Sequence, residues 1–199
     1  MKIVGLGGSL ASMSRSRSAL ETALAGAEEA EAETELLDIR SLDLPLFNPD
    51  DEPSSSALAM VEALESADGL LWSSPLYQGS VAGSFKNALD WLHLPNGSVY
   101  LTDKPIGLIS VSGGTQGLQA INAMEFSVRA LRGWAVPYVV PVPRAAFDEH
   151  EEIRDEGVER QLRTLGSEVV RLAGHFVEVE SPDHRAESAR SRERVAAAA

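Results

Sequence analysis

Short apolar runs alternate with amphipathic segments along most of this 199-residue chain, and this alternation constrains the fold most strongly. The predicted strands cover residues 3–6, 34–39, 68–73, 105–111 and 135–140. The predicted helices cover residues 18–30, 57–67, 84–92, 119–131 and 157–173. Strands separated by helices pair in parallel through right-handed crossovers. We therefore predict an α/β three-layer sandwich around a five-stranded parallel sheet, with the strand order 2-1-3-4-5.

The strand and helix pattern ends before the last residues of the chain. We expect residues 1–180 to form one domain. Residues 181–199 are charged and rich in alanine without an apolar stripe, so a frayed helix or a disordered tail is expected there.

The composition limits the classes of partner. The absence of cysteine excludes disulfides and thiolate sites, and the formal net charge of −13 argues against nucleic acid or an anionic membrane as a partner. Glycines at positions 5, 7 and 8 interrupt the apolar start, which favours a core strand over a signal peptide. The absence of cysteine fits the cytoplasmic location that we expect. The 3 lysines against 14 arginines suggest a halophilic source, and an acidic protein from a GC-rich genome is the alternative.

Three distinctive loops follow predicted strands one, three and four. They cover residues 7–17, 74–80 and 112–117. In the predicted strand order, the carboxyl ends of these three strands lie side by side around the switch point of the sheet. Open α/β sheets bind nucleotides and flavins at that position, so we expect the three loops to form one ligand site.

Each loop has chemistry that suits such a ligand. The first combines glycines, hydroxyls and Arg15 at a helix start, which suits a phosphate monoester, although a Ser-rich N-cap segment explains it equally well. It is neither a Walker A loop nor a dinucleotide fingerprint, because no Gly-Lys-Ser/Thr follows and Leu10 occupies the last glycine position. Pro75 in the second loop restricts φ, and Gly113 and Gly114 in the third let backbone lie against a flat ring.

Residues 72–92, WSSPLYQGSVAGSFKNALDWL, carry a family pattern. The segment resembles the Ser/Thr-Pro-x-Tyr-x-Gly-…-Lys-Asn-x-Leu-Asp-Trp signature of the NADPH-dependent FMN reductases. The outer loops resemble that family's phosphate segment and its Ser-x-Gly-Gly-x-x-Gly segment, so the likeness spans roughly residues 3–133. It implies a flavodoxin-like fold that binds FMN and uses NADPH or NADH.

The resemblance also implies the residues that bind the cofactor. Many members carry an arginine where this chain has Ala11, which leaves Arg15 or Arg17 to supply the charge at the FMN phosphate. The implied residues at the phosphate are Ser9, Ser14, Arg15 and Ser16; those along the ribityl chain and the ring are Pro75, Leu76, Tyr77, Gln78, Gly79, Ser112, Gly113, Gly114 and Gln116.

The activity implied by the resemblance is hydride transfer from nicotinamide to flavin N5. Electrons would then pass to a small-molecule acceptor such as a quinone, a flavin, an azo compound or a metal oxyanion in a ping-pong cycle, without an obligatory general acid or base side chain. The helices at 84–92 and 119–131 would form a homodimer, often doubled to a homotetramer. Three alternatives remain: a flavodoxin-type electron carrier, a supplier of reduced flavin to a monooxygenase, and a degenerate interaction module.

Other sequence patterns indicate no specific function. Tyr100 and Lys104 have the spacing of a dehydrogenase pair, but Pro105 begins a strand at once, so we attribute the spacing to coincidence. The four scattered histidines make a metal site improbable, and the acidic residues flanking His150 are expected on a solvated face. Local features expected from the sequence are an N-cap at Ser56, an i, i+4 pair of Lys86 with Asp90, and an exposed Trp91.

Overall fold

The computed structural model describes residues 1–95 and 97–178. The predicted tail at 181–199 lies outside the described residues. The strands are β1 Lys2–Gly7, β2 Glu33–Asp38, β3 Gly69–Tyr77, β4 Ser80–Val81, β5 His93–Leu94, β6 Gly97–Ser98, β7 Pro105–Ser112 and β8 Trp134–Pro143. The helices are α1 Arg15–Glu29, α2 Ile39–Leu42, α3 Ser55–Ser66, α4 Gly83–Asp90, α5 Leu118–Ala130 and α6 Glu156–Glu178, with a 3-10 turn at Arg144–Ala146.

The main sheet confirms the predicted fold class and strand order. Five parallel strands lie in the order β2-β1-β3-β7-β8, which is 2-1-3-4-5 among the predicted strands. All eight residues of β7 are buried, as expected for a central strand covered by helices on both faces. One apolar cluster packs α3, α4 and α5 against one face, and a second packs α1 and α6 against the other.

The strand β3 is longer than the sequence predicted. Pro75, which we expected in a loop, lies within the strand and pairs with Val111 of β7. The neighbouring strand β1 ends with Gly7 opposite Ser73. Pro75 therefore has a neighbouring strand on one side only, and a strand position of that kind tolerates a residue without an N–H.

A tight hairpin ends β3. Tyr77 pairs with Ser80 of the short strand β4, so Gln78 and Gly79 form a two-residue turn. Their φ angles of 48° and 85° match the type I′ turn, which requires positive φ at both central residues. The seven-residue polar loop predicted at 74–80 is thus mostly strand.

Two helix starts differ from the prediction by more than one residue. The helix α3 begins at Ser55, with the Ser54 hydroxyl accepting from the Ala57 amide at 3.2 Å, so Ser54 and not Ser56 is the N-cap. The helix α1 begins at Arg15, three residues before the predicted start. In both cases a serine near the start outcompetes later hydroxyls because its oxygen reaches a free amide of the first turn.

The segment after α4 corrects the expectation of an exposed tryptophan. Trp91 is 2% exposed, and its indole N–H donates to the Pro45 carbonyl at 2.9 Å. Asn87 accepts from the Phe47 amide at 2.8 Å, and the Phe47 ring meets Trp91 edge to face. The end of α4 therefore anchors the polar segment that precedes α3, whereas the predicted Lys86–Asp90 pair is confirmed on the exposed side.

Candidate functional site

The carboxyl ends of β1, β3 and β7 lie side by side, as the predicted strand order requires. The Gly8 amide donates to the Ser73 carbonyl at 3.2 Å, and β3 and β7 remain paired as far as Pro75. The segments that follow these strands therefore begin at one edge of the sheet. We call them the hydroxyl loop (residues 8–14), the hairpin turn (residues 77–80) and the glycine loop (residues 112–117).

The hydroxyl loop leads directly into the amino terminus of α1. The Ser14 oxygen caps the helix by accepting from the Arg17 amide at 3.3 Å. The Ser9 hydroxyl donates to Ser14 at 3.2 Å, and its oxygen accepts from the Ala11 amide at 3.3 Å. Two hydroxyls and the unpaired amides of a first helical turn thus stand together, which is a donor set that suits an anion.

Ser16 occupies the same first turn but is buried. Its carbonyl accepts from the Ser73 hydroxyl at 2.7 Å, which ties the helix start to β3. The backbone amide of Ser16 is one of the first-turn groups that helix geometry leaves without an intrahelical partner.

Arg15 is engaged by a carboxylate. Its guanidinium forms a bidentate ion pair with Glu151. Arg15 Nη2 lies 2.6 Å from Glu151 Oε1, and Arg15 Nε lies close to Glu151 Oε2. The Phe147 ring centroid lies 6.0 Å from the guanidinium carbon. The Arg15 and Glu151 side chains are only 25% and 21% exposed, so the expectation of a solvated acidic face beside His150 was wrong for Glu151.

The segment that carries Glu151 is organised by Asp148. The Asp148 carboxylate accepts from the amides of His150 at 2.8 Å and Glu152 at 3.0 Å. These hydrogen bonds lower the pKa of the Asp148 carboxyl, because amide donors favour its charged form. The hydrogen bond from the Glu152 amide has the larger effect, and the one from the His150 amide adds to it. Glu151 itself has a φ of 66°, an uncommon conformation for a residue other than glycine.

Two further arginines stand near the hydroxyl loop. Arg17 pairs with Glu21 at 2.9 Å and lies 3.8 Å from the buried carboxylate of Asp38. Arg40 donates from Nη1 to the Leu10 carbonyl at 2.8 Å. Sequence reasoning missed Arg40, although it follows predicted strand two, whose carboxyl end the strand order places next to the first loop.

The hairpin turn presents exposed side chains after a buried strand. Pro75 is buried, Leu76 is half-buried, and Tyr77 is 54% exposed. Gln78 and Gly79 are also exposed, and an added Cβ on Gly79 would lie 3.5 Å from the Gln119 side chain of α5. The turn therefore stands close to the helix that follows the glycine loop.

The glycine loop is open on its outer side. The Ser112 hydroxyl donates to the Gly114 carbonyl at 2.7 Å, which folds the loop back on the end of β7. Gly113 and Gly114 are exposed, and a Cβ added at either would meet no heavy atom within 4 Å. Gln116 is exposed as well, and its carbonyl accepts from the Gln119 amide at the start of α5.

Comparison with known proteins identifies a family for this chain. The model of the family described as NADPH-dependent FMN reductase matches residues 1–147. The chain belongs to this family. Its membership confirms the predicted class, oxidoreductases that use FMN and NADPH.

Individual relatives differ in length and in the activity for which they are named. The NADPH-dependent FMN reductase ArsH of Rhizobium meliloti is 30% identical over 174 residues, which cover 86% of this chain and 71% of the relative. The FMN-dependent NADPH-azoreductase of Staphylococcus aureus is 34% identical over 102 residues, 51% of this chain and 52% of the relative. The chain therefore spans about half the length of the azoreductase, and it spans 45% of another relative, the NADPH-dependent FMN reductase ArsH of Acidithiobacillus ferrooxidans.

A solved structure has the same fold. The flavoenzyme NAD(P)H:(acceptor) oxidoreductase FerB of Paracoccus denitrificans superposes with a TM-score of 0.71 at 25% identity, covering 87% of this chain and 97% of FerB. In the part of the chain that the structure describes, no helix has the length and apolar composition needed to cross a membrane. The same residues contain no group of three or more acidic or histidine side chains placed to hold a metal ion.

Proposed function

We propose that this protein is an FMN-dependent NAD(P)H oxidoreductase that reduces a small-molecule acceptor. The observation that carries the proposal is the meeting of the hydroxyl loop, the hairpin turn and the glycine loop at one edge of the sheet. These three segments supply different chemistry: hydroxyls and amides for a phosphate, exposed polar and aromatic groups for a ring edge, and bare backbone for a ring face.

The hydroxyl loop would hold the FMN phosphate. Ser9 and Ser14 would contribute hydroxyls, and Ser16 its backbone amide at the positive end of the α1 dipole. Arg15 would join them if Glu151 released its guanidinium, because the carboxylate now occupies two of its donor groups.

The other two segments would hold the ribityl chain and the ring. Pro75 and Leu76 end the buried part of β3, and Tyr77, Gln78 and Gly79 present exposed groups beyond it. Across the site, Gly113 and Gly114 leave room for a planar ring, with Ser112 supporting the loop from behind and Gln116 exposed at its far end. Backbone amides at such a position stabilise negative charge on a ring.

When bound, FMN supplies the acceptor for hydride and then the donor of electrons to the second substrate, in a ping-pong cycle. The contribution of the chain is to orient the ring, to leave one face open to nicotinamide and acceptor in turn, and to exclude water from the other face. The relatives that are named FMN reductase and azoreductase favour a flavin or an azo compound as the acceptor. A quinone or a similar small molecule is the other acceptor that we propose.

The assembly we propose is a homodimer or homotetramer formed through the α4 and α5 side. Leu118 and Phe126 of α5 are exposed apolar side chains, and Phe126 is 69% exposed. Exposed apolar groups on a helix are typical of a surface that a partner covers. Light scattering of Phe126→Asp should show a smaller species than wild type; the same mass for both would count against this surface.

An absorbance experiment tests the activity. Purified protein is mixed with FMN, separated from free flavin, and treated with NADPH without oxygen. We expect flavin bands that co-elute with the protein and bleach on addition of NADPH, with colour restored by an acceptor such as a quinone. Retained flavin that NADPH does not bleach would favour the electron carrier, and the absence of both binding and NADPH oxidation would overturn the proposal.

A further inference from the structure

Arg40 stands at the hydroxyl loop although it belongs to another element. It lies in the short helix α2, and its backbone amide donates to the Asp38 carboxylate at 3.4 Å. Asp38 is buried, and its Oδ1 atom would lie 2.8 Å from a Cβ added at Gly8. The same carboxylate therefore anchors the start of α2 and packs directly against the start of the hydroxyl loop.

The Arg40 side chain extends onto the loop itself. Its Nη1 atom donates to the Leu10 carbonyl at 2.8 Å. In sequence, Leu10 lies between Ser9 and Ser14, the two residues whose hydroxyls are hydrogen-bonded to each other. A guanidinium has five N–H donors, so a single bond to a carbonyl leaves most of them available. The residue is exposed, which keeps these donors within reach of a ligand in solution.

The other arginines nearby are already neutralised. Two nitrogens of the Arg15 guanidinium contact the carboxylate of Glu151. Arg17 is shared between Glu21 and the buried Asp38. Throughout residues 1–95 and 97–178, no carboxylate forms an ion pair with Arg40. Arg40 is therefore the cation of the three whose charge is not compensated by a carboxylate of the described chain.

Local charge matters here because the chain as a whole repels anions. Its formal net charge is −13, so a phosphate dianion approaches against the mean field of the protein. Hydroxyls and helix amides donate hydrogen bonds but carry no full charge. A guanidinium supplies the charge and can bind phosphate oxygens through two parallel N–H groups.

We propose that Arg40 is the cation that binds the 5′-phosphate of FMN and makes this protein prefer FMN to riboflavin. The proposal rests on the proposed function, because it takes the hydroxyl loop as the phosphate site. Arg40 is then a specificity residue for the phosphorylated cofactor, supplied by the β2–α2 connection and not by the loop.

The test compares two flavins that differ only in the phosphate. Apoprotein is titrated with FMN and with riboflavin, following the quenching of flavin fluorescence, for wild type, Arg40→Gln and Arg40→Lys. The matched control is Arg171→Gln, which removes the same charge from an exposed position of α6. Arg171 lies near the opposite end of the sheet, because Val169 and Ala173 of the same helix pack against Gly69, the first residue of β3. Glutamine keeps an N–H donor for Leu10, so it removes charge more than loop support.

We expect Arg40→Gln to weaken FMN binding about 10- to 100-fold, the range for loss of a charge-assisted hydrogen bond, with riboflavin binding unchanged. Arg40→Lys should recover part of the loss, and Arg171→Gln should match wild type for both flavins. Equal weakening for FMN and riboflavin would overturn the proposal, since it would show a loop-supporting role alone.

Two further outcomes separate this inference from the proposed function. If wild type prefers FMN strongly and Arg40→Gln keeps that preference, Arg40 is not the phosphate residue, while the flavin site stands. If wild type binds both flavins equally, the hydroxyl loop is not a phosphate site and the Arg40 proposal is overturned, while the flavin site stands. If wild type binds neither flavin and oxidises no NADPH, both proposals are overturned together.

Discussion

The guanidinium of Arg15 is held by the carboxylate of Glu151, 136 residues further along the chain, with 2.6 Å between Nη2 and Oε1. This contact joins the first residue of α1 to the segment between β8 and α6. The same region contains a second link, from the Ser18 hydroxyl to Glu152 at 3.5 Å. The connection before α6 thus reaches the helix terminus at which we place the phosphate, and its acidic side chains compete with that ligand.

Replacing the competing carboxylate should strengthen phosphate binding. Glu151→Gln removes the negative charge at Arg15, so the guanidinium becomes available to the FMN phosphate. We expect FMN affinity to rise about 3- to 10-fold, corresponding to roughly 0.7–1.4 kcal/mol, with riboflavin affinity unchanged. Calorimetric titration of the two flavins measures both.

The matched control for this variant is Glu149→Gln, because the Glu149 side chain is 87% exposed and lies in the same segment. It should bind FMN as wild type does. Identical FMN affinities for Glu151→Gln and wild type would show that Arg15 does not reach the phosphate.

A side chain on the glycine loop should block the flavin without disturbing the fold. Gly113→Val places a branched side chain where an added Cβ meets no heavy atom within 4 Å. The free energy of unfolding should stay within about 0.5 kcal/mol of wild type, as for an exposed surface site. FMN retention on a desalting column should be lost because the side chain would occupy the plane of the ring.

A glycine-to-valine change in the core serves as the positive control, because it should show that the unfolding assay responds to overpacking. In Gly107→Val, the added Cβ would lie 2.8 Å from Leu71 and 2.9 Å from Val169, so a loss of about 1–3 kcal/mol is expected. A stable Gly113→Val protein that keeps its full load of FMN would refute the placement of the ring at this loop.

Asn87 should stabilise the protein through its two contacts with the segment before α3. Its side chain accepts from the Phe47 amide at 2.8 Å and donates to the Pro45 carbonyl at 2.9 Å. Asn87→Ala should lower the free energy of unfolding in urea by about 1–3 kcal/mol, because two hydrogen bonds are lost and each contributes about 0.5–1.5 kcal/mol. Limited proteolysis should cut the released segment, residues 43–54, faster than in wild type.

An exposed amide side chain without these contacts serves as the comparison. Gln161→Ala on α6 should change neither stability nor cleavage, since the residue is exposed. If Asn87→Ala behaves in the same way, the segment is held by Trp91 and Phe47 alone.

The segment that carries Glu151 should loosen in acid. The hydrogen bonds from the Glu152 and His150 amides lower the pKa of Asp148, so its contribution to the structure is complete above the ordinary aspartate pKa of about 3.9. That contribution is lost as the pH falls through the lowered folded-state pKa, because the protonated carboxyl accepts these hydrogen bonds less well.

NMR measures this titration directly. The Asp148 carboxyl carbon should titrate with a pKa below the ordinary aspartate value, and the Glu152 amide shift should follow the same curve. In Asp148→Asn the acid-dependent change of that amide should disappear. A normal aspartate pKa, or a Glu152 amide that ignores it, would contradict the role given to Asp148.

The sheet was predictable because strand order depends on pattern, whereas strand length depends on neighbours. The apolar run at 105–111 predicts β7 almost to the residue, since a strand covered on both faces must be apolar throughout. The run at 68–73 does not reveal that β3 continues to Tyr77. Pro75 reads as a loop residue until the end of β1 opposite Ser73 is known.

Side-chain partners distant in sequence were not predictable in the same way. Trp91 follows a helix whose apolar side is already complete, so its burial depends on the Pro45 carbonyl and Phe47 ring that cover it. Glu151 was expected on a solvated face and Arg40 was not singled out, because nothing in their local sequence indicates the arginine or the loop carbonyl that they contact.

The sequence by itself determined the α/β fold, the strand order and the three segments that meet at the switch point, because hydrophobic periodicity and glycine placement act locally and repeat along the chain. Only the tertiary structure decided which charges stand at those segments. Glu151 reaches Arg15, Asp38 lies beside Arg17, and Arg40 lies on the hydroxyl loop without a carboxylate partner among the described residues. Ion pairing depends on distances of a few ångströms between residues far apart in sequence, and these distances exist only once the helices have packed on the sheet.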